Sequence, residues 1–361
     1  AGQIRGWMER MGYRVTLQEF RAPRDTLYLG PAMVLSGFVL AAAAGLWAPV
    51  LGLLLALAFL APMVGDMLGS RTLDFDRLLP LYTSRNVVGW NRPAEPARRT
   101  LVISAHYDTQ RASLLFHPKA APYLQAYFTC VYALLGGVLV ALLLRLIFSA
   151  PWTGTLLFSL AALLLPNIAL LLYCRFTGRY INGANDNGSG VAMALSLAEK
   201  FARGGLAGTE LFFVFTGAEE VGVRGMKHFL RQMSFDPATT RFINVDNVGG
   251  GKLHYLQGEG MLAVKPYSAE LLDLAVRMAG DYPGQVAPKA NLLLPTDGLV
   301  PSAHGYHAIS FLAFREDGSL PDYHWYTDTL ERVDRELIGF VEEFLGRYVE
   351  RVAEVPSTMG A

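Results

Sequence analysis

The sequence predicts an α/β fold: a three-layer sandwich around a mixed, mostly parallel central sheet, interrupted by four transmembrane helices inserted as two hairpins. Three observations predict it. Apolar strand-like runs alternate with helix-like runs, as helices packed on a sheet require. Several of those runs stop on a His, Asp or Glu, and in open α/β sheets ligands gather at the carboxyl ends of strands. Two blocks of the 361-residue chain lose charge almost completely, although 17% of its residues are charged.

The elements follow in order. Ile4, Trp7, Met8 and Met11 recur at helical spacing, and Gly12 suits the stop. Tyr13 to Phe20 alternates as a strand does. The chain opens on Ala1 rather than Met, as a processed chain does. Thr26 to Gly65 holds no charged residue, and a bilayer-spanning helix needs about 20 apolar residues. Turn residues from Gly45 to Pro49 divide this stretch into helices near 29–46 and 50–66. Soluble composition returns from Arg71 to Arg99, and Asn86 to Trp90 and Leu101 to Ser104 read as paired strands around a Pro-rich turn. Ala120 to Leu144 and Leu146 to Cys174 are again uncharged, giving helices near 123–146 and 152–174. Pro166 is tolerable inside a membrane helix, and Arg145, near the turn, can snorkel to the interface.

Beyond Cys174 the alternation resumes. Helical spacing runs from Val191 to Phe201, and a continuous apolar strand from Leu211 to Thr216, as buried parallel strands show. A helix starts within 222–229. Strands follow at Arg241 to Val245 and Leu253 to Leu256, a helix at Ser268 to Ala279, a strand at Ala308 to Phe314 and a closing helix from Leu330 to Val352. The domain reading is a soluble part built from 1–27, 70–122 and 175–361, with hairpins at 28–69 and 123–174.

Composition excludes some classes. Formal net charge is zero and no helix-turn-helix, RNP or zinc-finger spacing occurs, so no nucleic acid is expected as partner. Two cysteines, Cys130 and Cys174, both within apolar runs, make no disulfide framework. A transporter is disfavoured, because the four apolar runs carry no intramembrane Asp, Glu or Lys.

The chemistry lies in five ordered stretches: His106-Tyr-Asp108, Gly183-Ala-Asn-Asp-Asn-Gly-Ser-Gly190, Glu219-Glu220, the isolated Asp246, and Tyr323-His324 with Asp328 four residues on. Imidazole nitrogen and carboxylate oxygen are zinc ligands. In this order and spacing the stretches resemble the M28 family of zinc aminopeptidases. The resemblance implies two zinc ions, with cobalt or manganese as possible substitutes. It implies His106 and Asp246 on one ion, Glu220 and His324 on the other, and Asp186 bridging. It further implies Glu219 as general base, Asp108 as the acid that orients His106, Tyr323 as a hydrogen-bond donor to the oxyanion, and a cis peptide at Asp186–Asn187. The expected activity is removal of N-terminal residues from peptides, membrane-associated or lipidated ones included. Alternatives are a single-zinc glutaminyl-cyclase-like enzyme, which His106 argues against, and a silent scaffold, which usually loses ligands.

Departures are specific. Thr296-Asp297-Gly298 stands where many family members have Ser-Asp-His, and Trp325-Tyr326 where Thr-Pro is common. Tyr267, Trp325 and Tyr326 are candidates for a specificity wall. His117, His228, His254, His304 and His307 match no ligand position. Arg21, Arg24, Arg71, Arg77, Lys119, Arg175 and Arg179 flank the apolar runs on the catalytic side, against Arg145 on the far side. The positive-inside rule then expects an integral plasma-membrane protein with a cytoplasmic catalytic part. Oligomeric state is left open.

Overall fold

The structure, a computed structural model, describes residues 1–67, 79–93, 96–261 and 263–354. The flanking Arg71 and Arg77 and the boundary expected at 69/70 lie outside the described residues. The chain divides into two compact units: 1–22, 83–111 and 180–361 form one, 23–82 and 112–179 the other. Strands are β1 (Arg14–Pro23), β2 (Leu81–Asn91), β3 (Arg99–His106), β4 (Thr209–Thr216), β5 (Thr240–Val245), β6 (Lys252–Glu259), β7 (Lys265–Pro266), β8 (Val286–Asn291) and β9 (His307–Phe314). Helices are α1 (Gly2–Arg10), α2 (Leu29–Gly45), α3 (Pro49–Met67), α4 (Leu124–Ile147), α5 (Pro151–Thr177), α6 (Gly190–Ala202), α7 (Arg224–Gln232), α8 (Ala269–Gly280), α9 (Leu299–Ala303) and α10 (Arg335–Glu354).

The first unit is an α/β sandwich on one mixed sheet of order β1-β2-β4-β3-β5-β9-β6-β7, with β8 paired to β6. Its centre, β4-β3-β5-β9, is parallel, while β2 on β4 and β6 on β9 are antiparallel. Side chains alternate across a strand, and both faces are used. Leu101, Ile103, Phe213 and Phe215 pack with Leu197 of α6, Leu274 of α8 and Phe344 of α10. Val102, Phe212 and Val214 pack with Phe229 of α7 and Val300 of α9. Covering on both faces is why β4 reads as a continuous apolar run.

Two expectations change, and two elements were not expected. The strands 86–90 and 101–104 are not neighbours, because β4 lies between them and pairs with both. A fully apolar strand needs partners on both edges, and the segment after β2 steps over it: Arg92 meets Glu210 at 2.8 Å, and the Arg98 N–H donates to the Gly208 carbonyl at 2.8 Å. The closing helix starts at Arg335, not at Leu330, because Asp334 accepts the N–H groups of Glu336 and Leu337 at 3.0 Å each. Strand β8 and helix α9 carry too little periodicity to be read from sequence.

The second unit is helical, its core built from α2, α3, α4 and α5. Two helices, Ala121–Ile147 and Pro151–Thr177, are long and apolar enough to cross a membrane, and only 22% of each apolar window is buried. The first pair is shorter: α2 has 17 residues and α3 has 19. Four full spans are thus more than helix length alone supports. Glycine brings α2 and α3 together: a Cβ on Gly37 would meet the Phe59 ring at 2.2 Å. Arg145 turns inward instead of toward the interface. It donates to the Gly45 carbonyl at 3.0 Å, to the Leu46 carbonyl and to the Thr153 hydroxyl at 3.2 Å. It thereby satisfies the open carbonyl end of α2. Asp25 pairs with Arg175.

Candidate metal centre

The parallel strands converge their carboxyl ends. His106 is the last residue of β3 and is in register with Thr216, the last of β4. Asp246 follows β5 directly, Glu219 and Glu220 stand just beyond β4, and His324 lies on the loop after β9. Asp186 comes from the loop before α6, with a cis peptide to Asn187. That loop is tied on every side. Asp328 accepts the Asn185 N–H at 2.6 Å and the Asp186 N–H at 3.1 Å. Asn185 accepts from Gly249 N–H at 2.7 Å and donates to the Pro321 carbonyl at 3.0 Å. Asn187 donates to the Val245 carbonyl at 3.0 Å and accepts the Asn247 N–H at 3.2 Å. Sequence reading treats these asparagines as turn formers; their role as cross-links depends on contacts distant in the chain.

All five metal-type residues meet. His106 Nε2 lies 3.2 Å from Asp186 Oδ1 and 3.5 Å from Asp246 Oδ1. His324 Nε2 lies 3.1 Å from Asp186 Oδ2 and 3.0 Å from Glu220 Oε2. Asp186 therefore gives one oxygen to each imidazole. At zinc–ligand distances of about 2.0–2.1 Å, the edge of a tetrahedral site is about 3.3 Å. The observed separations are of that length, and Asp186 Oδ2 and Glu220 Oε1 are buried without a hydrogen-bond partner. Among the described residues, His106, Asp186 and Glu220 offer donor atoms that all lie within 4.8 Å of one another. The residues fit a cation.

Electrostatics say the same. Burial pushes the Glu219 carboxyl well above its usual range, with Asp297, Glu220 and Asp246 adding to it. Burial also lifts Glu220 to about 7 against the pull of His324. Burial opposes charge on His324, yet Glu220 and Asp186 hold its imidazolium up to about 9. Burial would raise Asp186, but the two imidazoles outweigh it and hold it low. The described cavity lining includes Glu219, Glu220, Asp186 and Asp246 and neither Lys nor Arg. Such an excess of buried acid needs protons or cations.

Asp108 behaves differently from the expected orienting acid. Its carboxylate lies 3.8 Å from His106 Nδ1, which is closer, at 3.1 Å, to the Asp108 carbonyl oxygen. The carboxylate instead accepts the N–H groups of Glu219 and Glu220 at 3.1 and 3.2 Å, fixing the acid pair. Tyr323 stacks on His324 with ring centroids 3.8 Å apart and lines the cavity. Five described non-glycine residues have positive φ: Ala218, Val223, Asn247, Asp322 and His324. Each is a site residue or lies within three positions of one, and such backbone costs on the order of 1–3 kcal/mol per residue.

The description "Peptidase family M28" matches residues 170–349, a segment that holds Asp186, Glu219, Glu220, Asp246 and His324. The chain belongs to peptidase family M28. His106 and Asp108 lie before the matched segment, and geometry alone brings them to the M28 cluster. Among similar proteins is a probable lipoprotein aminopeptidase, LpqL, of Mycobacterium tuberculosis, 27% identical over 188 residues, covering 44% of this chain and 37% of that one. The chain spans 30–37% of the length of the curated relatives it matches. Solved structures with the same fold include a glutaminyl cyclase from Porphyromonas gingivalis, with TM-score 0.56, 15% identity, and 97% and 88% of the two chains covered. A Zn-dependent exopeptidase from Parabacteroides distasonis gives TM-score 0.52 at 16% identity, covering 98% and 88%.

The expected specificity wall is corrected. None of Tyr267, Trp325 and Tyr326 lines the cavity; Leu294, Pro295, Leu312 and Leu320 do. Tyr267 is buried with its hydroxyl on Ser310 at 2.7 Å, and Tyr326 is half exposed. Sequence reading passed over Leu294 and Pro295 because they belong to no periodic element. Asp297 accepts the Thr216 hydroxyl, and burial lifts its carboxyl to about 7.

Proposed function

We propose that this M28 protein is a membrane-anchored aminopeptidase using two zinc ions that share Asp186. The observation that carries this is the division of the Asp186 carboxylate between two imidazoles, each with its own further acid. His106 and Asp246 would hold one ion, Glu220 and His324 the other. Bound zinc supplies Lewis acidity toward the scissile carbonyl and lowers the pKa of a water. Glu219, lining the cavity, takes the proton from the attacking water and returns it to the leaving amine. Asp108 holds Glu219 in place through its backbone. The Tyr323 hydroxyl is positioned to donate to the oxygen that gains charge. The cavity lining offers no Lys or Arg to bind a substrate's C-terminal carboxylate, and Glu219, not assigned to either ion, is free to meet an α-ammonium group. That favours removal from the amino end.

The helical unit supports a bilayer as partner. Trp47, Phe148 and Trp152 are exposed at one end of its helices, and Tyr123, Tyr173 and Phe176 at the other. Trp152 and Phe176 are about 36 Å apart along α5 at 1.5 Å per residue, close to the hydrocarbon core plus its interfaces. Aromatic belts mark such boundaries. We take peptides at the membrane, lipidated ones included, as substrates and a cytoplasmic active site as the orientation. The full chain in detergent, stripped and reloaded with zinc, should bind two equivalents and hydrolyse aminoacyl reporters. One equivalent with cyclisation of N-terminal glutamine would favour the cyclase reading, and no turnover at full zinc loading a scaffold.

A further inference from the structure

Among the described residues, Glu259, Asp297 and Asp328 are buried carboxylates of the α/β unit outside the five metal-type residues, and Glu259 is the most deeply buried. Glu259 ends β6 at 0% exposure, and it gathers three donors. Its Oε2 accepts the Thr296 N–H at 3.0 Å; its Oε1 accepts the Thr296 hydroxyl at 3.0 Å and the Asn291 amide at 3.5 Å. Asn291 and Thr296 are the two ends of an irregular strap between β8 and α9. Asn291 also donates to the Leu294 carbonyl at 3.0 Å and accepts the Leu293 N–H at 3.1 Å, folding the strap over its own amide. The Thr296 hydroxyl reaches Ser310 Oγ at 3.0 Å.

A buried carboxylate without a cation is costly unless donors satisfy it. Here Thr296 and Asn291 belong to one segment, so the carboxyl group fixes backbone that no helix or sheet ladder holds. That segment lines the cavity: Leu294 and Pro295 stand there with Leu312 and Leu320. Leu312 and Leu320 are buried in the body of the unit, whereas Leu294 and Pro295 are part exposed.

We propose that Glu259 is a positioning residue for substrate selection. It holds the strap so that Leu294 and Pro295 meet the side chain of the released residue, and an apolar side chain is the class this wall takes. Acidic side chains would be desolvated against Leu294, Pro295, Leu312 and Leu320 with no Lys or Arg in the lining to pair with them. This rests on the aminopeptidase reading above.

The test uses the zinc-loaded full chain in detergent with leucyl, alanyl and glutamyl p-nitroanilides. Wild type should prefer leucyl over alanyl by tens-fold, within the roughly 10–200-fold that apolar pockets give, and should ignore glutamyl. Glu259→Gln leaves one acceptor oxygen and turns an NH2 toward the donors, releasing one end of the strap. Its KM for the leucyl substrate should rise about ten-fold with kcat within two-fold, and the leucyl-to-alanyl ratio should fall about as much. Leu294→Ala, at a part-exposed site, should lower the same ratio with folding intact, and Thr296→Ser should keep it where Thr296→Val loses it. An unchanged ratio in both Glu259→Gln and Leu294→Ala, or an equal fall of kcat on every substrate, would overturn the proposal alone. If zinc-loaded wild type cleaved none of the three, the aminopeptidase reading itself would fall and this proposal with it.

Discussion

The two units of this chain place opposite groups where water is scarce. The α/β unit buries Asp186, Glu219, Asp246, Asp297 and Glu259, each under 10% exposed. The helical unit exposes Leu40, Leu54, Leu143 and Phe158, each above 45%. Burial of acids without partners is costly in any folded protein, and exposure of so many large apolar side chains is costly in water. On the proposed reading, cations offset the first cost at Asp186, Glu220 and Asp246, protein donors offset it at Asp297 and Glu259, and lipid offsets the second. The contrast teaches that the two units use burial in opposite ways, one to concentrate acids and the other to leave an apolar surface outward.

The sharpest way to break that comparison is to delete the shared ligand. Asp186→Ala removes an oxygen from each imidazole-acid set. It should abolish stable binding of both zinc equivalents and lower kcat/KM by about a thousandfold or more, since such ions supply several kcal/mol to the transition state. Zinc content after desalting and reporter hydrolysis would read both. Retention of two tightly held ions would end the bridging assignment. Glu219→Gln comes next. It should keep both ions while kcat falls by about 10²–10⁴, because only proton transfer is lost. Loss of metal instead would make Glu219 a ligand.

On the helical side, Arg145→Met tests whether an internal cation, rather than lipid contact alone, holds the helices together. The guanidinium caps the α2 carbonyls and reaches Thr153 at the start of α5. Its loss should lower stability in detergent by about 2–3 kcal/mol, as hydrogen bonds to a charged group and the helix end are worth. Thermal unfolding followed by far-UV dichroism would show it. An unchanged midpoint would mean that apolar packing such as Gly37 on Phe59 suffices.

The candidate metal residues are legible in sequence because the order of residue types resembles a known family: His106, Asp186, Glu220, Asp246 and His324 need no periodicity to be noticed, and the fold brings them together. The uncharged blocks were legible for the same reason of composition. Pairing was not: β2 and β3 are consecutive in sequence, yet β4, more than a hundred residues on, separates them, and only three-dimensional packing determines that. Specificity was hidden as well. Leu294 and Pro295 sit in an irregular strap, and Glu259 looks like any strand-end acid until its three donors are seen. Asp108 was found by its spacing, but its partners were not, since N–H groups leave no mark in a sequence.

The smallest effect concerns pH, and it separates the units because α4 and α5 contain neither Asp nor Glu. Burial raises Glu259 from 4.5 to about 7, against the donors from Thr296 and Asn291. Below pH 4.5 the folded and unfolded chains both carry the proton, and the contribution to stability is whole. Between 4.5 and about 7 the unfolded chain releases the proton and the folded one keeps it, so stability falls as pH rises. Above 7 both are ionised and the loss is complete. One proton corresponds to at most about 1.4 kcal/mol per pH unit. Unfolding of the zinc-loaded protein, followed through the α/β unit, should therefore depend on pH more weakly in Glu259→Gln than in wild type across 4.5–7. The difference should vanish above 7, where the slope from this group is gone. Parallel curves through that window would mean that the three donors hold Glu259 ionised in the fold, and that the strap is fixed by a full negative charge rather than by a shared proton.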